Sequence, residues 1–151
     1  MSLNVGDSVP NFTLPSQTGQ PVSIQDFRGK KPVVLYFYPK DDTPGCTKES
    51  CAFRDRYETF TDAGAEVIGI SGDSVSSHAE FAKKYNLPFT LLSDNGNYVR
   101  KLFGVPSTLG FLPGRVTYII DKEGTIRHVF NSQLNFNGHV SESLKTIQSL
   151  A

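Results

Sequence analysis

Residues 33–38 read Val-Val-Leu-Tyr-Phe-Tyr, six apolar or aromatic side chains with no polar alternate. A strand with one face in water alternates, so this one requires cover on both faces. That is the environment of a central strand in a sheet flanked by helices. Beyond Pro39 the pattern becomes helical from Cys46 to Asp62. Ala52, Phe53, Tyr57 and Phe60 fall on one face, with Lys48, Glu49, Arg54, Asp55 and Glu58 mostly elsewhere on the wheel. Gly64 supplies a stop, and 65–71 reads as a second buried strand. A helix over 74–86, capped by Ser76 or Ser77, a strand over 89–94 and a short glycine-ended helix over 97–104 follow.

Residues 116–121 and 125–130 form a hairpin across Lys122-Glu123-Gly124, and 138–151 closes the chain as an amphipathic helix. Residues 11–24 form a small leading hairpin around Thr18-Gly19. Alternating strands and helices imply parallel pairing, and the late hairpin adds an antiparallel pair. The expectation is an α/β chain, a single domain over 1–151, with a mixed central sheet flanked by helices and an N-terminal β-hairpin extension.

Fifteen basic residues balance fifteen acidic ones, and neither sign clusters. This argues against a nucleic-acid partner or a membrane surface, which require a basic stripe. The longest apolar run, 32–38, is too short to span a bilayer. The first residues have neither a basic start nor an apolar core, so no secretory signal is read and a cytoplasmic location is expected. A chloroplast location is the alternative if a transit peptide has been removed.

The chain has two cysteines, Cys46 and Cys51. Pro44 suits the first turn of a helix, where its missing N–H costs nothing, and Thr43 stands at the N-cap. Cys46 then falls at about the third helical position, among unpaired N–H groups where a thiolate is favoured. Cys51 follows after a turn and a half. Ideal helix geometry puts the two Cα atoms about 8.7 Å apart, beyond the ~7 Å reach of a disulfide. An intact helix forbids the bond, so the first turns must unwind for the thiols to pair. His78, His128 and His139 are scattered without ligand spacing to a cysteine, which speaks against zinc.

The segment Pro39-Lys-Asp-Asp-Thr43-Pro-Gly-Cys46 resembles the Pro-x-x-x-Thr-x-x-Cys signature of the peroxiredoxins. The second cysteine five residues on resembles the peroxiredoxin Q, or bacterioferritin comigratory protein, subfamily. "GDSVPNFTL", "VIGISGDS", "LPFTLLSD" and "PGRVTYIID" extend the likeness over nearly the whole chain. The resemblance implies a thioredoxin-like fold and a thiol peroxidase acting on hydrogen peroxide and organic hydroperoxides. Cys46 would be the attacking cysteine, and Cys51 would resolve its sulfenic acid as an intramolecular disulfide. A thioredoxin or similar dithiol protein would reduce that bond. Arg115 would stabilise thiolate and transition state, Pro39 would exclude water, and the Gly45 and Cys46 N–H groups would contact the peroxide. Thr43 would either place its hydroxyl near the sulfur or only cap the helix. Glu49 would either orient the arginine or be a solvated helix residue. No metal, haem or flavin is implied, and a monomer is expected.

Two other readings compete. A thioredoxin-type disulfide reductase would carry Cys-x-x-Cys where this chain has Cys-x-x-x-x-Cys. A binding module or holdase chaperone would leave both thiols as bystanders.

Overall fold

The computed structural model describes residues 2–106 and 113–150. β1 (Thr13–Pro15) and β2 (Pro21–Ser23) form the antiparallel leading ribbon. After a 3-10 turn come β3 (Val33–Phe37), α1 (Pro44–Asp62), β4 (Glu66–Ser71), α2 (Val75–Lys84), β5 (Thr90–Ser93) and α3 (Tyr98–Phe103). β6 (Val116–Ile120), β7 (Ile126–Asn131) and α4 (Phe136–Ser149) complete the chain. The main sheet has the order β5-β4-β3-β6-β7. β3, β4 and β5 are parallel, and β6 runs antiparallel to both β3 and β7. The mixed sheet expected from the alternation is present.

β3 lies at the centre and explains its own composition. Val34, Tyr36 and Tyr38 pack with Phe53 and Phe60 of α1, Phe81 of α2 and Leu144 of α4. Val33, Leu35 and Phe37 point the other way, against Phe12, Val99 and Phe103. All of Val33 to Tyr38 are buried, so neither face has room for a polar alternate. Gly69 of β4 is part of this packing: a Cβ there would come within 2.8 Å of the Tyr36 ring. Its absence leaves room for the ring, which stacks on Phe53.

The cap of α2 and the start of α4 differ from expectation. α2 is capped by Ser74, whose hydroxyl accepts from Ser77 N–H at 3.1 Å, and not by Ser76 or Ser77. α4 starts two residues early, because Asn135 caps it by accepting from Gly138 N–H. α1 starts at Pro44 after Thr43, as the cap and first-turn residues predict, with Cys46 third. Gly64 follows α1 with φ +84°, a left-handed conformation that ends the helix cheaply. The predicted last helical residue, Ala151, lies outside the described residues.

Strand register places the chemistry. Phe37, the last residue of β3, pairs with Val116, the first of β6. Val116 pairs in turn with Asn131 at the end of β7. The antiparallel turn of β6 therefore brings Arg115 and the 132–136 connection beside Pro39 and the start of α1.

Candidate active site

Cys46 is the third residue of α1 and is 1% exposed. The first bond of the helix ladder runs from Thr47 N–H to Thr43 O at 2.8 Å. The N–H groups of Gly45 and Cys46 precede that bond, at the positive end of the helix dipole. No acidic residue in the first turn competes for them.

Thr43 holds the N-cap backbone position, with φ −89° and ψ 154°, but its side chain does not cap. The hydroxyl turns back and donates to Lys40 O at 2.9 Å. With its proton spent there, Thr43 offers the site an acceptor.

Arg115 is 5% exposed and lies over the first turn of α1. Its Nη1 donates to Glu49 Oε1 at 2.7 Å and its Nε to Gln133 O at 3.0 Å. The guanidinium stacks 4.9 Å from the Phe136 ring centroid and lies within electrostatic reach of the Cys46 sulfur. Burial works against its charge, yet Glu49 and Cys46 beside it raise its pKa above the ordinary arginine value. Gly45 makes this approach possible. A Cβ there would meet Phe136 Cζ at 2.9 Å and Arg115 Nη2 at 3.1 Å.

Glu49 is not a solvated helix residue: it is fully buried, on the stripe formed by Cys46, Ser50, Phe53 and Phe60. One turn from Cys46, it faces inward with it. Burial pushes its carboxyl up to about 7, against the opposing pull of Arg115. Oε2 lies 3.5 Å from Nδ1 of His139, which is itself fully buried.

Around this centre stand groups that the sequence did not mark. Arg100, 7% exposed on α3, donates from Nη2 to Tyr38 O at 2.7 Å and from Nη1 to Gly114 O at 2.6 Å. One guanidinium thus ties the residue before Pro39 to the residue before Arg115. Asp94 fixes its helix by accepting from the N–H groups of Val99 and Arg100. Asp41, also buried, accepts from Tyr38 OH at 2.6 Å and Ser77 Oγ at 2.8 Å, and faces His78 Nδ1 at 2.7 Å. His78 Nε2 donates to Leu92 O. This network clamps the Pro39–Thr43 loop onto α2 and β5. Asp and His read as surface residues in a sequence, so no local signal marks them.

Pro39, Gly45, Pro113, Arg115, Leu134 and Phe136 line a cleft of about 440 Å³ over the helix start. Leu134 and Phe136 also border a second hollow that contains Cys51. Cys51 is half-buried, and burial raises its thiol pKa above the ordinary value. Both cysteines are free, on one continuous 19-residue helix. Six of the seven residues picked from the sequence fall in or around one helix start, and Cys51 is set apart in a neighbouring hollow.

A buried cysteine at a helix N-terminus, facing an arginine on a thioredoxin-like sheet, defines a class of thiol enzyme, and the comparisons agree. The chain belongs to the AhpC/TSA family, whose model matches residues 5–129, and it is a thiol-dependent peroxidase of the peroxiredoxin Q kind. It is 62% identical to the chloroplastic peroxiredoxin Q of Triticum aestivum over 96% of this chain and 67% of that protein. Identity to the chloroplastic peroxiredoxin Q of Sedum lineare is also 62%, over 96% of this chain and 78% of the other. The structure of the peroxidoxin BcpB from Mycobacterium tuberculosis superposes with a TM-score of 0.91 at 38% identity, covering 99% of each chain. The reductase and holdase readings fall with this result. Peroxides are the substrates of the family, and a thiol reductant completes the cycle.

Proposed function

We propose that Cys46 is the nucleophile of this peroxidase and that Cys51 resolves it. The Cys46 thiolate attacks the terminal oxygen of a hydroperoxide. An S–O bond forms as the O–O bond breaks, the sulfur is oxidised to a sulfenic acid, and the departing oxygen takes a proton to leave as water or an alcohol. Full ionisation of a free thiol, about 3% ionised at pH 7, accounts for only about thirtyfold in rate. The larger share then falls to groups that favour charge on the peroxide oxygens. Arg115 and the N–H groups of Gly45 and Cys46 supply donors, and Thr43 supplies an acceptor for the peroxide proton. Pro39 and Phe136 keep water from the sulfur. Glu49 holds the arginine fork in plane.

The thiol of Cys51 then displaces water from the sulfenic acid, giving a disulfide after the first turns of α1 unwind. A thioredoxin or similar dithiol protein reduces it. The chain acts as a monomer without nucleic acid or membrane; among the described residues no helix is long and apolar enough to cross a bilayer. The chloroplast named for the plant relatives favours a plastid setting over the cytoplasm.

The observation that carries this reading is the burial of Cys46 at the third helical position, beside Gly45, against which Arg115 packs. Mass spectrometry of the reduced protein after brief hydroperoxide treatment tests it. Oxidation should appear first at Cys46 and, in a Cys51→Ser variant, stop there as a sulfenic acid. Peroxidase turnover in Cys46→Ser would end the assignment.

A further inference from the structure

Glu49 is a fully buried carboxyl with one oxygen paired and one not. Oε1 accepts from Arg115 Nη1, while Oε2 has no hydrogen-bond partner among the described residues. The polar group that faces Oε2 is the His139 ring, 3.5 Å away. Hydrogen-bond counting fixes what that ring can offer. His139 Nε2 lies 2.7 Å from Ser132 O, a carbonyl that can only accept, so Nε2 carries the proton. Nδ1 is then a lone pair, and it accepts from the Thr117 hydroxyl at 2.7 Å. A second ring proton is unavailable near neutrality, because burial holds the His139 pKa down to about 4. An ionised Oε2 would thus face a lone pair in a dry site, whereas a protonated Oε2 faces an acceptor.

We propose that Glu49 is a titrating counter-charge to Arg115, and that His139 sets its protonation by withholding a hydrogen-bond donor from Oε2. The inference rests on the peroxidase reading above. When Glu49 carries its proton, the charge of Arg115 is uncompensated and is directed at the Cys46 sulfur and the peroxide. When Glu49 ionises, it neutralises Arg115 and adds a negative charge one helical turn from the sulfur.

Among the described residues, Arg115 ahead of β6, His139 on α4 and Tyr36 on β3 face Glu49, and Cys46 lies one turn before it on the same buried stripe of α1. Arg115 stays charged and His139 neutral through the neutral range, and burial raises Tyr36 well above its ordinary value. The thiolate is the attacking form of any cysteine nucleophile, so loss of a thiol proton cannot slow the reaction. A fall in rate above neutrality therefore reports Glu49, whose carboxyl is pushed up to about 7. His139 is a positioning residue here: it touches neither sulfur nor peroxide.

The test is stopped-flow oxidation of Cys46 by a hydroperoxide from pH 5.5 to 9 in the parent, Glu49→Gln and His139→Gln. The parent rate should fall about tenfold or more above neutrality, as one unit charge appears beside the site. Glu49→Gln, neutral at every pH, should lose the falling limb while its plateau drops through poorer seating of Arg115. His139→Gln gives Oε2 an amide donor and should move the limb to lower pH. Infrared spectra of the reduced parent provide a second reading that needs no variant. The stretch of a protonated carboxyl should be present at pH 6 and vanish through pH 7 to 8. An alkaline limb that survives in Glu49→Gln, or a parent with no protonated carboxyl at pH 6, overturns the inference. Failure of Cys46 to oxidise at any pH instead overturns the peroxidase assignment beneath it.

Discussion

Arg115 Nη1 and Glu49 Oε1 stand 2.7 Å apart, with the two side chains 6% and 0% exposed. A buried pair of this kind contributes little net stability, because desolvation offsets the Coulomb attraction. Under the proposed mechanism its value lies in restraining the planar fork of Arg115 above the first turn of α1. Replacing Arg115 by Lys keeps the charge and loses the fork, which now serves Glu49 and Gln133 O together. Arg115→Lys should lower the rate constant for peroxide reduction by about 10²–10³-fold, the usual effect of removing a preorganised donor. A rate within threefold of the parent would show that charge alone suffices.

Glu49 and His139 titrate in opposite senses. Glu49 is raised from 4.5 to about 7, so its contribution to stability is present below pH 4.5 and is lost as pH rises through 7. His139 is lowered from 6.5 to about 4, so its contribution is present above pH 6.5 and is lost as pH falls through 4. Each amounts to on the order of 3 kcal/mol, and over the shared window they offset. Glu49→Gln removes the falling contribution. Its stability relative to the parent should therefore improve as pH rises from 4.5 to 7, measured by urea denaturation at each pH. A constant difference across that range would contradict the assignment.

Gly45→Ala separates stability from catalysis. The helix tolerates or prefers alanine, but the added methyl would sit 2.9 Å from Phe136 and displace it or Arg115. Thermal stability should change by a few degrees at most, while the peroxide rate falls about tenfold, as expected for a small misplacement of the arginine. A crystal structure of the variant with both side chains unmoved would remove the explanation.

Arg100→Lys tests the brace between the two sides of the site. One ammonium cannot serve Tyr38 O and Gly114 O together, so at least one buried carbonyl is left unpaired. A loss of about 1–3 kcal/mol in unfolding free energy is expected, together with a slower peroxide reaction. Loss of stability with an unchanged rate would restrict Arg100 to structure.

The sheet was legible in the sequence because its centre is extreme. Six consecutive apolar residues admit no other placement than β3, and the helix periods on either side follow from their stripes. Cys46 was legible too, since Pro44 fixes the first turn and hence the register of the thiol. Glu49 was only half legible: its i+3 spacing from Cys46 puts it on the inner face, but carboxylates ordinarily face water. Arg100, Asp41, His78 and His139 gave no signal. Each is a polar residue whose burial depends on at least one partner distant in sequence, such as Gly114 O and Tyr38 O for Arg100. Such partners come together through sheet register, which local patterns do not encode.

Amide hydrogen exchange over residues 44–53, in the dithiol form and in the form with Cys46 joined to Cys51, tests the central claim most directly. The dithiol form should show strong protection from Thr47 onward, consistent with the unbroken ladder of α1. In the bridged form that protection should be lost over 44–53 and retained beyond residue 54. Equal protection in both forms, with the disulfide verified by mass, would contradict the account.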